Sequence, residues 1–369
     1  MNKLEALVSL NMVGGIGSVR LKRLLEFFGK PEAILDASPE KLMAVSGIGE
    51  ETAYKIHSFQ KNALEREFIL AKRDNLKILT QEDRGYPESL KNIYDPPIVL
   101  YIKGELKEED KYSLAIVGCR RASFYGLRNA ERFAFELANC GFTVISGMAR
   151  GIDTASHHGA LKAKGRTIAV LGSGLGNIYP PENKELSEDI SANGAVISEF
   201  PIEEKPLRQN FPRRNRLISG LSLGVLVVEA GQNSGALITA DFALEQGREV
   251  FSLPGEIDSR GAFGTNRLIK EGAKPVLSVD DILEELIIPG RQAHCKVAAP
   301  VISATNMGLE KEEAIVYNLI QRQPVGLDEL IETAGIGLSD IMGTLLKLQM
   351  KRLIRELPGK QFARMNNEG

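Results

Sequence analysis

The chain has 369 residues, 43% of them hydrophobic and 25% charged, with 36 glycines and a formal net charge of −2. That length gives room for two or three domains with real cores. The near-neutral balance, with a pI near 6.2, excludes a protein that is basic throughout, so any nucleic-acid binding must come from a local patch.

Three cysteines, Cys119, Cys140 and Cys295, form no C-x-x-C pair. That argues against a disulfide framework or a cysteine zinc site and fits a reducing cytosol. The opening MNKLEALVSL lacks the apolar core of a signal peptide. No apolar run reaches the ~18 residues of a membrane span. A soluble, cytoplasmic protein with no membrane contact is expected.

Residues 1–65 read as a helical domain of helix-hairpin-helix type. Val13-Gly14-Gly15-Ile16-Gly17 returns as Val45-Ser46-Gly47-Ile48-Gly49, each copy followed by an amphipathic helix. Such a turn points unpaired amides at a DNA phosphate, or it is simply a tight turn between packed helices. Glu50 and Glu51, just after the second copy, would repel a phosphate, which favours a structural or protein-contact role. Residues 66–112 read as a connector with short strands near 78–80 and 98–102, packing on the edge of the next domain.

Over residues 113–287 the pattern is strand, loop, helix, repeated. Strands are expected at 114–118, 142–146, 166–171, 195–199, 223–229, 249–253 and 275–278. Helices are expected near 126–140, 152–164, 182–192, 212–221, 235–247, 263–272 and 280–287. Runs such as Val225-Leu226-Val227-Val228 suit strands covered on both faces. The fold class is α/β, a Rossmann-like doubly wound parallel sheet, which binds ligands outside the carboxyl ends of its strands. Residues 288–307 have no clear period and read as a linker. Residues 308–369 read as a winged helix, with helices over 312–321, 327–333 and 338–350 and a terminal hairpin.

The strand-end loops carry an anion site. The first strand ends in LAIVGCRRASFYG, with Arg120, Arg121 and Ser123. The second ends in SGMARGID, with Gly147 and Arg150, and the third in GSGLGNIYPPEN, followed by Lys184. After the fourth comes LRQNFPRRNRLISGLS, with Arg208, Phe211, Arg213, Arg214 and Arg216 and no acid among them. The fifth supplies Ser234, Gly235 and Thr239, and the sixth Asn266. Glycine turns let backbone approach a ligand, and arginines offer planar forks to phosphate. An aromatic inside a basic run suits a single strand, with phosphates on the charges and a base on the ring. The first and fourth loops are therefore expected to face one crevice. A solvated arginine face and a core Phe211 are the plain alternatives.

Catalytic and cofactor signals are thin. There is no G-x-G-x-x-G with a following acid and no G-x-x-x-x-G-K-[ST], so neither a dinucleotide nor a Walker ATP site is expected. His157-His158 has no partner at ligand spacing, so no metal is expected. Asp153 is expected to cap the helix that follows it. Ser123 has no visible base, so it reads as an N-cap or a phosphate donor. Glu199 and Glu229, at strand ends, could orient arginines or a sugar hydroxyl. No catalytic residue and no cofactor are assigned.

The stretches IVGCRRAS, SGMARGIDTASHHGAL, YPPENKEL, SEFP, FPRRNRLISGLS, VVEAGQNSGALITA, GREVFSLPG and GTNRLIKEGA, in this order, resemble the DprA (Smf) family of DNA-processing proteins over about residues 80–287. A helical N-terminal domain and a C-terminal winged helix agree with it. The resemblance implies a non-catalytic single-stranded DNA-binding protein of natural transformation and recombination. It would protect incoming DNA, load RecA against single-strand binding protein, and act as a homodimer through the Rossmann-like domain. By motif, Arg120 and Arg208 match basic DNA-contacting positions and Phe211 an aromatic that stacks on a base; Lys184 is a weaker match.

Two other readings stand beside this one. Nucleotide-binding phosphoribohydrolase-like enzymes of the same Rossmann-like class use a PGGxGTxxE loop. Here EAGQNSGALITA keeps the small residues but lacks the glutamate. A transcription factor led by the winged helix is disfavoured by LSDIMGTLLKLQM, which carries one lysine and an aspartate, poor equipment for a major groove.

Overall fold

The computed structural model describes residues 1–286, 311–320, 325–335, 337–351, 353–357 and 359–364. The expected linker at 288–307 lies outside them. Two compact units divide within that stretch, Met1–Cys295 and Lys296–Gly369, and each is described by itself.

The first unit opens with six helices, α1 (Lys3–Met12), α2 (Ser18–Phe28), α3 (Pro31–Leu35), α4 (Pro39–Met43), α5 (Glu50–His57) and α6 (Lys61–Arg73). Gly15 and Gly47, the middle glycines of the repeated turns, adopt positive φ of 91° and 87°, where a side chain would be strained. Arg20 donates to the Gly15 carbonyl and Arg23 to that of Ser46. The expected connector contributes β1 (Lys77–Thr80), α7 (Glu88–Lys91) and β2 (Val99–Gly104).

Strands and helices then alternate. They run β3 (Ser113–Gly118), α8 (Phe124–Asn139), β4 (Thr143–Ser146), α9 (Ile152–Lys162), β5 (Thr167–Val170), α10 (Lys184–Asn193) and β6 (Ala195–Ser198). The series continues with α11 (Asn210–Leu221), β7 (Gly224–Glu229), α12 (Gly235–Glu245), β8 (Glu249–Ser252), α13 (Phe263–Lys270), β9 (Lys274–Pro275) and α14 (Val279–Glu285).

All nine strands form one sheet in the order β1-β2-β6-β5-β4-β3-β7-β8-β9. From β6 to β9 every neighbouring pair is parallel, whereas β1 pairs antiparallel with β2 and β2 antiparallel with β6. The sheet is therefore mixed. The connector does more than pack on an edge, because its strands extend the sheet. β9 is only two residues long and ends in Pro275.

Side-chain alternation splits the core in two. Ala115, Val117, Val225 and Val227 join α11 and α12 on one face. Leu114, Ile116, Leu226 and Val228 join α8, α9 and α14 on the other. On that second face the β2-β6-β5 portion, through Val99, Tyr101, Val196 and Ala169, shares a single cluster with Leu10, Leu24, Ile34, Ile56 and Leu70 of the N-terminal helices. Glu67 of α6, buried in this contact, accepts a hydrogen bond from the Ile202 amide at 2.8 Å. Burial raises the Glu67 pKa.

The second unit holds α15 (Lys311–Leu319), β10 (Val325–Gly326), α16 (Leu327–Ala334), α17 (Leu338–Met350), β11 (Ile354–Leu357) and β12 (Gln361–Arg364). Its strands form a small sheet, β10-β12-β11, giving the expected winged-helix pattern. Along α17, Leu338, Met342, Leu346 and Met350 stay exposed, so this helix presents an apolar stripe where a major-groove reader would carry cations.

Candidate nucleic-acid interface

β3 has β4 on one side and β7 on the other, and the chain winds outward in both directions from there. Such a switch point leaves a crevice at the strand ends. A cleft of about 910 Å³ fills it, lined by the loops after β3 and β7 and by the start of α11. Arg120, Arg121, Arg208, Phe211, Arg214, Ser234, Gly235 and Thr239 all line this space. The first and fourth strand-end loops thus face one crevice, as the sequence predicts.

Phe211 is half-buried at the centre. The Arg120 guanidinium lies 5.0 Å from its ring centroid, and the Tyr179 ring 5.8 Å from it, tilted by 53°. A Cβ at Gly172 would stand 2.8 Å from the Phe211 ring, so the glycine turn after β5 makes room for the aromatic. Arg120, Arg121 and Arg208 are exposed, and among the described residues no carboxylate pairs with them. Ser234 caps α12, accepting from the Ala236 amide at 3.3 Å, and it sets the helix's positive end into the cleft.

The remaining arginines of the basic run divide sharply. Arg214 is 4% exposed; its Nη1 donates to the Gly147 carbonyl at 2.7 Å and also to that of Val170, and its Nε to Asn215 at 3.1 Å. Burial lowers its pKa to about 10, with Asp153 opposing. A side chain at Gly147 would collide with this guanidinium, which explains the glycine. Arg216 is also buried, held by Glu199 at 2.5 Å and Asp95 at 3.4 Å. Arg213 is exposed but stacks over Phe200, 5.2 Å from its centroid, with Glu199 4.0 Å away. Glu199 therefore orients arginines. Burial raises its own pKa, opposed by Arg216 and Arg213.

Lys184, Arg150, Asn266 and Ser123 lie outside the cleft wall, whereas Asp153 lines it. Lys184 is exposed at the start of α10, beside Asn183, which donates to the Met148 carbonyl at 2.9 Å. Arg150 is ion-paired with Glu182 and lies 6.0 Å from the Tyr179 ring. Asn266 closes a reciprocal pair of hydrogen bonds with Gly255, at 3.0 and 3.2 Å. Ser123 caps α8 and donates to Glu229 at 2.6 Å. Asp153 does not cap its own helix. That position is Gly151, whose φ is 78°, and the Asp153 carboxylate instead accepts from the Gly147 and Ala149 amides of the preceding loop. Burial raises the Asp153 pKa, against Arg214 and those amides.

Sequence reasoning passed over Tyr179, though it stands in the quoted YPPEN stretch. An aromatic at a strand end beside a glycine turn was the available signal. Among the described residues no cluster of histidine, cysteine and carboxylate side chains could hold a metal, and no helix is long and apolar enough to cross a membrane.

The chain matches the family model "DNA recombination-mediator protein A" over residues 77–287, a SAM-like helix-hairpin-helix tandem over 7–60 and a DprA winged helix domain over 300–360. Protein Smf of Synechocystis sp. is 37% identical, over 96% of this chain and 97% of its own. The X-ray structure of DNA processing protein A from Streptococcus pneumoniae superposes with a TM-score of 0.69 at 34% identity, covering 78% of this chain and 99% of that one. DNA processing protein A from Helicobacter pylori, solved for its single-stranded DNA binding mode, gives 0.51 at 30% identity, over 56% and 94%.

Proposed function

The chain belongs to the DNA recombination-mediator protein A family, and from that premise we propose that it binds single-stranded DNA in the strand-end cleft. The observation that carries this reading is Phe211, held half-buried beside Arg120 and Tyr179, next to the exposed Arg120, Arg121 and Arg208, which form no ion pair among the described residues; the buried Asp153 carboxylate acts on Arg120 only at longer range. One base stacks on the Phe211 ring. Phosphates lie on Arg120, Arg121 and Arg208 and against the amide end of α12 at Ser234 and Gly235. Thr239 supplies a hydroxyl at the cleft floor. Lys184, Arg150 and Arg213 stand outside the cleft wall and serve the strand beyond it. Arg214, Arg216, Gly147, Ser123 and Asn266 hold the loops in place and do not touch DNA.

The same family membership supports a role in transformation and recombination, with protection of incoming DNA, RecA loading against single-strand binding protein, and a homodimer through the sheet domain. A dimer would present two clefts to one strand and gain avidity. Binding without catalysis fits the side chains near the cleft. Ser123 does donate to the Glu229 carboxylate, but the pair is used structurally: Ser123 accepts from the Gly126 amide as the cap of α8, and Glu229 also accepts from the Ser123 amide. Asp153 is engaged by backbone amides, and His157 is fully buried.

The test is a salt titration of binding to matched single- and double-stranded oligonucleotides. Wild type should prefer the single strand and weaken steeply with salt. Arg120→Glu/Arg208→Glu should abolish binding, and Phe211→Ala should cost roughly 1–3 kcal/mol. Equal binding by wild type and the double variant would remove the cleft from the account. Nucleoside monophosphates would then be the ligands to screen.

A further inference from the structure

We propose that the bound strand leaves the cleft along the groove between α8 and α9, which takes the next nucleotide; this rests on the single-strand reading above. A second hollow of about 430 Å³ lies there and shares Arg120 and Arg121 with the cleft. The two spaces share these two residues as a common border, so one arginine pair can serve phosphates on both sides. A strand crossing the cleft must leave it at two ends, and this hollow lies against the Arg120–Arg121 pair.

The groove has a plain cause. A side chain at Gly159 would collide with the Glu131 carbonyl, so α8 and α9 touch at that level. Towards their N-termini the gap between them is lined by Gly151, Ala155 and Leu127. Thr154 also lines it, but its hydroxyl is taken up by the Ala149 carbonyl and the Asn183 side chain, so this stretch of the trough is mainly small and apolar, which suits a sugar or a base face. His158 is exposed on the α9 wall. Glu131, the one acidic lining residue, is ion-paired with Lys162. The groove therefore offers cations at its mouth, an imidazole on its side and a neutralised carboxylate at its far end.

The experiment compares oligothymidylates of about six and about twenty nucleotides, lengths that bracket one site of this kind, by fluorescence anisotropy. His158→Glu and Ala155→Glu should each lose roughly three- to ten-fold in affinity for the long oligomer, with a log–log salt slope shallower by about 0.7–1. The short oligomer, satisfied by the cleft, should bind as to wild type. His158→Lys should keep or raise affinity for the long one, and because residue 158 is exposed this pair stands even if Ala155→Glu misfolds. Wild-type binding of both lengths by the glutamate variants would overturn the proposal, as would equal loss on both lengths. Failure of wild type to bind either oligomer would instead overturn the single-strand reading, and this extension with it.

Discussion

His157 has no place for a second proton. It is fully buried in α9, with Nδ1 2.7 Å from the Thr167 hydroxyl. That hydroxyl donates its own proton to the Val144 carbonyl at 2.8 Å, so Nδ1 carries the hydrogen and donates. Nε2 has no partner among the described residues. Burial pushes the pKa down to about 3, with the charges of His158 and Arg214 acting the same way. Unfolded, the ring takes a proton below about 6.5; folded, it does not. The resulting stability is complete above 6.5 and is lost as the pH falls towards 3. Between pH 7 and pH 5 the loss should be about 2 kcal/mol from this residue. Urea denaturation at both pH values measures it. His157→Asn should be less stable at pH 7 yet lose less on acidification. Asp153 and Glu199, raised by burial, tilt stability the other way, but they are common to both proteins and cancel in the comparison. An equal acid slope in the two would show that the imidazole is protonated in the fold.

At the scale of one helix, α11 carries adjacent arginines with unrelated jobs. From Arg214 to Leu221 every residue of it is buried, and among its buried positions Asn210, Arg214, Leu217, Ile218 and Leu221 share one face at i, i+4, i+7, i+8 and i+11. Arg214→Met should leave the Gly147 and Val170 carbonyls without their donor and cost about 1–3 kcal/mol for each group left unpaired, visible in denaturant unfolding. Arg208→Ala, at an exposed position just before the helix, should leave the unfolding midpoint unchanged and weaken DNA binding. Equal stability of Arg214→Met and wild type would contradict the inward assignment.

Much of this was legible in the sequence. Strands such as Ser113–Gly118 and Gly224–Glu229 announced themselves as apolar runs closed by glycine or acid. The shared crevice followed from the rule that ligands sit at carboxyl strand ends. The separation of Arg214 and Arg216 from Arg208 was obscured because a charge run reads as one patch. Leu217, Ile218 and Leu221 did hold the signal for Arg214, since they fix the face onto which it falls. The inward turn of Arg216 was not available, because it depends on Glu199 and Asp95, distant in sequence. The antiparallel pairing of β2 with β6 is equally non-local.

For the whole first unit, the notable contact is between the N-terminal helices and the sheet. Leu10, Leu24 and Ile56 share a cluster with Val99, Tyr101 and Val196, so part of one sheet face is covered by residues 1–65. Removing those residues should expose that face. A chain beginning at residue 66 should unfold at a lower denaturant midpoint and bind a hydrophobic dye, compared with the full chain. An unchanged midpoint without dye binding would mean that the helices add nothing to the stability of the sheet. The opposite side of the molecule carries a different kind of consequence. The outermost parallel strand, β9, consists of Lys274 and Pro275. A proline has no amide hydrogen to offer, and a lysine resists being paired flat against a neighbour. An unfolded chain drifting past finds almost no ladder to extend there. A second copy of the chain therefore finds little backbone at that border to pair with, which works against edge-to-edge aggregation.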